Sequence, residues 1–463
     1  MKNIIELLNI KSNVDEYKIV VSTVSSTELF FIKEELQMNR SKDVKHINIT
    51  IYRNFVENDI KFKGSSTTVI EPTMSMDEIS KKIDTAALAA SFVKNQFYNL
   101  VDPTNDVPTD LPSTFKEGNP IEHISNLVKD IFSEDNQFEA FINSCEFFIN
   151  KKDIRILNSK GVDVSYTVYD GEIELITEAN GEKESIELFD VLNFSDYDPA
   201  WIKETVKDSL YKSMLRTKAV PISALKDIPV ILTGEAVQDF FSYYQVKAAA
   251  QMIYQKISTV EIGDMVQQGE IKGDLVTATL KPYIPNSSKS RSYDDDGFFL
   301  KEITIIKDSK LLGYYAQKRY ADYLGITPTG GIQNIEINCG STSIDDLKKG
   351  PYLELLNFSD FQMDPLTGNF GGEIRLGIYF DGTLEIPVTL GSISGVAKDV
   401  EGNMLFSKEQ QKLNSFIGPK FIKLNNISIA GNWVVKTHSH LWYDTSKVDI
   451  IKKENNLSKV MSS

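Results

Sequence analysis

Residues 364–399 carry short apolar runs between glycine turns, and this pattern constrains the fold more than any other stretch of the chain. Thr367, Gly368 and Asn369 are typical of a turn, and residues 374–380 alternate apolar and other side chains as a half-buried strand does. The dipeptide at 381–382, Asp-Gly, is favoured in two-residue hairpin loops, whose central positions take positive φ. Residues 385–390 resemble a returning strand, and 391–395 close the unit. The pattern predicts three short strands that contain no nucleophile and no metal ligand.

Elsewhere the chain alternates strand-rich and helical segments. Ser75 and Glu78 have the spacing of a capping box, which predicts a helix from residue 77, and Pro120 and Pro199 open two more amphipathic helices. Further helices are expected at 235–255, near 312–324 and near 343–349. Strands are predicted at 18–22, 28–33, 47–53, 61–69, 145–149, 154–157, 162–169, 172–179, 184–191 and 228–232, with Gly161, Gly171 and Gly181 as turns.

These elements predict an α+β protein. We expect a mixed N-terminal region, with antiparallel sheets and long helices, and a strand-rich, barrel-like C-terminal domain. The proposed boundaries are 1–217, with subregions at about 18–100 and 120–217, then 218–431, and an extension at 432–463.

Composition narrows the possible functions. The chain has 50 Lys and Arg against 65 Asp and Glu, a formal charge of −15, so direct nucleic-acid binding is not expected. Cys145 and Cys339 are its only cysteines, which favours a reducing compartment, and Cys145 is expected in the core. No long apolar segment predicts a membrane span, and the N-terminus lacks the pattern of a signal peptide, so a cytoplasmic location is expected.

Few motifs in the chain carry chemistry. The four histidines are His46, His123, His438 and His440, and none of them forms a helical HExxH motif. His438 and His440 could share one face of a strand, but a surface role is favoured, and His123 is expected on the surface as well. Residues 294–296, three consecutive aspartates, could bind a hard cation but lack calcium-loop spacing and are expected to form a solvated turn. No nucleophile elbow and no phosphate-binding loop is present.

The second half contains several segments whose order and spacing are distinctive, namely 293–297, 302–308, 311–312, 316–324, 329–331, 343–350, 364–399, 416–419 and 427–431. In these segments the second half resembles the TldD/PmbA family, and the first half fits more loosely. Members of that family were first described as modulators of DNA gyrase and are now regarded as peptidases.

The family contains two kinds of subunit. TldD-like chains carry HExxxH on the helix after the central strand of the C-terminal domain, and a cysteine near the C-terminus completes their zinc site. PmbA-like (TldE-like) chains share the fold without these ligands. Here the corresponding helix, 235–255, has no histidine, and Ile417 stands near the position of the cysteine. The resemblance therefore implies a metal-free subunit that binds no cofactor itself, and it leaves the metal-site region vestigial at Ser242, Tyr243, Val246, Lys247 and Ile417.

Three functions stay open at this point. The first is a non-catalytic subunit whose TldD-like partner supplies zinc and which helps to form a cavity for unfolded or leader peptides. The second is a stand-alone homodimer that binds peptides, and the third is a hydrolase that uses His438, His440 and the aspartates near residue 294. The residues expected to line the substrate or partner cavity are Tyr293, Asp296, Gly297, Gly330, Gly331, Asp364, Thr367, Gly368 and Asn369.

Overall fold

The computed structural model describes residues 1–108, 110–117, 120–182 and 184–431. The extension at 432–463, with His438 and His440, lies outside the described residues. The division at residue 217 stays a prediction, since residues 1–431 cluster as one unit. The α-helices are α1 (Lys2–Ile10), α2 (Met76–Ser91), α3 (Pro120–Phe132), α4 (Pro199–Thr217), α5 (Glu235–Lys247), α6 (Ala250–Tyr254), α7 (Lys318–Leu324), α8 (Ile344–Leu347) and α9 (Ala397–Val400). No helix in this part of the chain is long and apolar enough to cross a membrane.

The N-terminal part forms one antiparallel sheet of seven strands in the order β4-β3-β2-β1-β5-β6-β7. The strands are β1 (Glu16–Ile32), β2 (Glu35–Glu57), β3 (Ile60–Ile70), β4 (Asn95–Gln96), β5 (Ala140–Asn158), β6 (Asp163–Asn180) and β7 (Ser185–Phe194). They are longer than predicted, because each pair of predicted segments at 18–33, 145–157 and 162–179 is one continuous strand.

Two polar or glycine-containing stretches were wrongly predicted as breaks in these strands. The segment around Ser25 is polar, but it pairs on both sides, with Asp43 and with Lys151. Serine and threonine are compatible with a pleated strand, so polarity alone did not mark a turn. Gly171 lies inside β6, where a Cβ atom would come within 2.3 Å of the Phe194 ring. Its missing side chain makes room for that ring and does not serve a turn.

Helices cover parts of this sheet. The capping box of α2 is confirmed, since Ser75 Oγ accepts from the Glu78 amide and the Glu78 carboxylate accepts from the Ser75 amide. Ile79 and Ile83 of α2 are buried with α1 against the sheet. Helices α3 and α4 pack against another part of it, with the buried Cys145 in the same core. His123 was predicted on the surface, and it is partly exposed there, with its ring beside Phe115.

The C-terminal part contains two further sheets that share one core. Their strands are β8 (Val220–Pro221), β9 (Val230–Thr233), β10 (Ala278–Lys281), β11 (Ile303–Lys307), β12 (Lys310–Leu311), β13 (Asn334–Ile337), β14 (Tyr352–Met363), β15 (Asn369–Phe380), β16 (Glu385–Thr389), β17 (Gly391–Val396), β18 (Leu405–Phe406), β19 (Gln410–Leu413), β20 (Phe416–Pro419), β21 (Phe421–Leu424) and β22 (Ser428–Ala430). One sheet has the order β12-β11-β10-β13-β20-β19, and the other has the order β18-β21-β9-β14-β15-β16-β8. In the second sheet β17 also pairs with β15, and β22 pairs with β17. The strand-rich α+β class is confirmed.

Helix α5 lies in the core of these two sheets. Phe240, Phe241 and Tyr244 are fully buried in it. Phe241 stacks on Phe416 of one sheet, and Phe240 meets Phe370 of the other edge to face. The predicted helix at 235–255 is split at Ala248 and Ala249, and α6 follows. The helix expected at 312–324 begins only at Lys318.

The unit at 364–399 has three strands as predicted, but their pairing differs. Both β16 and β17 pair with β15, one with each half of it, and the chain shifts between them at Leu390, where φ is 54°. The loop after β15 spans four residues, not two, because Asp381 accepts through its side chain from the amides of Thr383 and Leu384. Only Gly382 in this loop has positive φ, so the expected two-residue hairpin was wrong.

Candidate functional site

Two cavities lie on either side of the turn that joins β14 to β15. The turn is ordered by Asp364, whose carboxylate accepts hydrogen bonds from the Leu366 amide (2.9 Å) and from Thr367 Oγ1 (2.5 Å). At Gly368, where φ is 76°, a Cβ atom would lie 3.1 Å from the Tyr243 hydroxyl of α5. A glycine here therefore lets the turn approach the helix closely.

The larger cavity is an open groove of about 790 Å³. Its lining contains three carboxylates and no basic side chain, and burial raises the pKa of one of them, Asp239. The lining residues are Asp239, Ser242, Asp360, Phe361, Gln362, Met363, Asp364, Pro365, Asn369, Phe370, Gly371 and Gly372. The groove thus combines apolar walls with negative charge.

One strand that lines the groove has an open edge. β14 pairs with β9 only from Leu353 to Leu355, yet it continues beside β15 as far as Met363. Among the described residues, its second edge over 357–363 has no strand partner. Unpaired amides and carbonyls on such an edge can accept an added strand.

The smaller cavity, of about 360 Å³, lies on the other side of the turn. Lys247 of α5 and Lys398 of α9 line it together with Tyr243 and Thr367. The Lys247 ammonium lies 4.1 Å from the centroid of the Tyr243 ring and donates to the Val266 carbonyl at 3.4 Å. Burial lowers the pKa of Lys247. This cavity therefore holds positive charge that is incompletely hydrated.

A buried polar network supports the helix beside this cavity. The Tyr244 hydroxyl donates to Glu401 Oε1, and the Gln268 amide donates to Glu401 Oε2, each at 2.9 Å. Burial raises the pKa of Glu401, and burial together with Glu401 raises that of Tyr243 to about 12. Lys247 is the nearby positive charge that opposes the rise at Glu401.

The metal-site positions implied by the resemblance do not fit zinc in this chain. Ser242 faces the groove, whereas Tyr243, Val246 and Lys247 line the smaller cavity, and Ile417 of β20 lines neither. Zinc is held by thiolate, imidazole and carboxylate groups, and none of these five residues offers one. The described residues contain no group of three or more His, Cys, Asp or Glu suited to a metal ion.

Five of the predicted cavity residues lie elsewhere, where the N-terminal sheet meets the C-terminal part. Lys18 of β1 forms an ion pair with Asp296 at 2.5 Å, and Tyr293 packs near Tyr166 of β6. Gly297 faces Val162, with φ at 80°. Gly330 and Gly331 lie close to the same aspartate turn. Of the predicted set, only Asp364, Thr367 and Asn369 line the two cavities, and Gly368 packs between them.

The three consecutive aspartates do not form a solvated turn as expected. Asp294 is fully buried, and its carboxylate accepts from the amides of Asp296, Phe298 and Gly331. Burial, reinforced by Asp296, raises its pKa to about 6. Asp295 pairs with Arg291. The run is therefore a structural element of the seam, and its charges are already bound.

Several cavity residues were missed by sequence reasoning. Asp239 lies one helical turn before Ser242, so helical spacing could have found it. Asp360 and Lys398 gave no such signal, because only the folded sheet brings them to α5.

Comparisons with known proteins agree with this architecture. Residues 225–431 match the family model described as the PmbA/TldA metallopeptidase C-terminal domain. The chain has the fold of TldE from Thermococcus kodakarensis, with 19% identity, coverage of 93% of this chain and 100% of that one, and a TM-score of 0.75. It also has the fold of a candidate modulator of DNA gyrase from Thermotoga maritima, with 16% identity, coverage of 92% and 99%, and a TM-score of 0.72. A third solved protein, a candidate modulator of DNA gyrase from Bacteroides thetaiotaomicron, has 15% identity, coverage of 93% and 98%, and a TM-score of 0.73. No curated protein sequence matches the chain. Residues 225–431 therefore form a domain of the PmbA/TldD metallopeptidase C-terminal type, and the chain as a whole has the fold of TldE.

Proposed function

We propose that this chain is the non-catalytic, TldE-like subunit of a heterodimeric zinc peptidase that acts on unfolded or leader peptides. In this proposal a TldD-like HExxxH partner holds the zinc and supplies the catalytic base, and both subunits work in the cytoplasm. The observation that supports it most directly is that the α5 side chains at the implied metal positions include no zinc ligand. There Lys247 places an ammonium beside the Tyr243 ring where the family's metal-binding subunit would present ligands.

The role assigned to this chain is to bind peptide in an extended conformation. The open edge of β14 at 357–363 can hydrogen-bond to the main chain of an added strand. Main-chain bonding of this kind depends little on peptide sequence, which suits a peptidase acting on disordered segments. The alternation of side chains along an added strand would direct every second one towards the groove wall at Phe361 and Met363.

The charge of the groove favours peptides that carry lysine or arginine. Asp239, Asp360 and Asp364 line it, and none forms an ion pair with a basic residue in the part of the chain that the structure describes. A basic peptide side chain would supply the missing counter-charge, and its contribution would weaken as salt rises.

Co-expression with a TldD-like HExxxH protein tests the proposal. We expect the two chains to co-purify as a heterodimer and to digest an unfolded, lysine-containing peptide, whereas this chain alone does not. The matched control is the partner with its HExxxH glutamate replaced by glutamine, which should still co-purify but not digest. A chain that stays alone beside the partner, or that digests peptide by itself with zinc, would contradict the proposal.

The second candidate, a stand-alone peptide-binding homodimer, is favoured by one observation. Both cavities are lined by residues of this single chain. Light scattering of the isolated chain with and without the partner separates the two candidates, since a homodimer that ignores the partner would favour the second. The hydrolase that would use the aspartates near residue 294 receives no support, because Asp294 is buried and already bonded to three amides.

A further inference from the structure

Two lysines, Lys247 and Lys398, line the smaller cavity. Neither Lys247 nor Lys398 forms an ion pair in the part of the chain that the structure describes, although the chain carries a formal charge of −15. Asp264 also lines the cavity, but its Oδ2 accepts from the Glu261 amide. Glu401 acts electrostatically on Lys247 but forms no ion pair with it among the described residues, and its two oxygens accept from the Tyr244 hydroxyl and the Gln268 amide. The two ammonium groups are therefore available to an external anion.

Apolar side chains also line the cavity beside the two lysines. Three of them are exposed, namely Ile257 at 42%, Met265 at 51% and Leu366 at 54%. The other apolar lining residues include Val246, Met252, Val260, Val266 and Pro365, and polar groups come from Ser258, Thr259, Gln268 and Thr367. A ligand for this site should therefore present an anion and an apolar group close together, which inorganic phosphate does not do.

We propose that the smaller cavity binds the C-terminal α-carboxylate of a peptide whose last side chain is apolar. The carboxylate would lie between Lys247 and Lys398, and the side chain would cover Ile257, Met265 and Leu366. This inference rests on the proposed function, because it places in the smaller cavity the C-terminal end of the same peptide that the groove would bind.

The position of the cavity supports this assignment. Pro365 lines both the groove and the smaller cavity, so the two are separated only by the turn at 364–368. The groove is negative and the smaller cavity is positive. In a peptide with a basic interior residue and a free C-terminus, the basic side chain would meet the negative groove and the carboxylate would meet the positive cavity.

Partial burial of Lys247 adds a reason for binding. An ammonium that has lost part of its hydration gains more from a carboxylate than a fully solvated one does. Burial lowers the pKa of Lys247, and an anionic ligand would raise it again.

The test compares the acetylated tetrapeptide Ala-Ala-Ala-Leu with a free carboxylate and the same peptide as its C-terminal amide, by calorimetric titration of the full chain. We expect the acid to bind at least about tenfold more tightly, as a charge-assisted hydrogen bond predicts. Lys247→Met and Lys398→Met should each bring the acid close to the amide, whereas Lys247→Arg should keep the preference. Lys307→Met is the matched control, since Lys307 is exposed on β11 and lines neither cavity.

Other results would overturn the inference. Equal affinity of acid and amide, or no binding of either, removes the carboxylate site even if a lysine variant fails to fold. Acetyl-leucine binding as tightly as the tetrapeptide would assign the cavity to small carboxylates and not to a peptide end. If the chain prefers the acid but never co-purifies with the HExxxH partner, the heterodimer proposal fails while the carboxylate site stands. Failure of the carboxylate site can therefore be told apart from failure of the heterodimer proposal.

Discussion

The Tyr244 hydroxyl donates a hydrogen bond to the carboxylate of Glu401 at 2.9 Å, and both side chains are fully buried. The bond ties α5 to the short 3-10 turn at Glu401–Asn403, across 157 positions of the chain. Burial raises the pKa of Glu401, and the hydrogen bond from Tyr244 opposes that rise. The helix beside both cavities is therefore held in place by a polar contact as well as by its aromatic core.

Tyr244→Phe should destabilise the fold by about 1–3 kcal/mol, because Glu401 loses a donor in a site that water does not reach. Urea denaturation measures the change in the free energy of unfolding. Tyr254→Phe is the control, since its hydroxyl bonds at an exposed site to Gln96, and we expect a change within about 0.5 kcal/mol. Equal losses in the two variants would contradict the importance of the buried bond.

Lys63 and Glu16 form an ion pair in which the lysine is fully buried. The ammonium lies 4.9 Å from the centroid of the Phe97 ring and 5.1 Å from that of Tyr98. Lys63→Met should cost about 3–5 kcal/mol, because it leaves the largely buried carboxylate of Glu16 unpaired.

A double-mutant cycle checks this pair. Lys63→Met combined with Glu16→Gln should cost clearly less than the sum of the single changes. Lys94→Met removes an exposed pair with Glu57 and should change stability by no more than about 1 kcal/mol. Additive losses at Lys63 and Glu16 would show that the two residues do not act together.

Asp294 should make stability depend on pH. Its pKa is raised to about 6 in the folded chain, so the protonated carboxyl is favoured by folding, and this stabilisation is lost as pH rises through 6. Asp294→Asn removes the titration. The stability advantage of the natural chain over the variant should therefore shrink by about 1 kcal/mol between pH 5 and pH 7. Urea denaturation at both pH values measures it, and an unchanged difference would contradict the shift.

Gly330→Ala should destabilise the fold by more than about 2 kcal/mol, because two costs combine there. The residue has φ at 80°, and a Cβ atom would come within 2.3 Å of Leu300. Gly350→Ala measures the backbone strain alone, because φ is 74° there but no atom lies near the added Cβ. We expect it to lower the free energy of unfolding by about 1 kcal/mol. Thermal denaturation ranks the variants, and a smaller loss at Gly330 than at Gly350 would be inconsistent with the close packing.

Local signals in the sequence predicted several elements well. The capping box at Ser75 and Glu78 and the helix starts at Pro120 and Pro199 depend on neighbouring residues, and the structure confirms all three. The helix at α5 was also predicted, although its break at Ala248 was not. These features need no distant partner, which is why a single sequence reveals them.

Signals that depend on distant partners were misread. Glycine is typical of turns, but Gly171 lies inside a strand, where its missing side chain makes room for Phe194. Asp294 belongs to an acidic run of the kind that is usually solvated, yet it is fully buried and accepts from three amides, of which that of Gly331 is distant in sequence. In both cases the deciding contact comes from a segment that local pattern does not reveal.

By itself the sequence determined the strand-rich unit at 364–399, the family resemblance and the absence of histidine from the helix at 235–255. Only the tertiary structure decided what surrounds that helix. Asp239 and Asp360 share one groove, and Lys247 and Lys398 share the cavity beyond the turn. Each pair is separated by more than a hundred positions, and sheet pairing and core packing around α5, which no local pattern encodes, bring its members together.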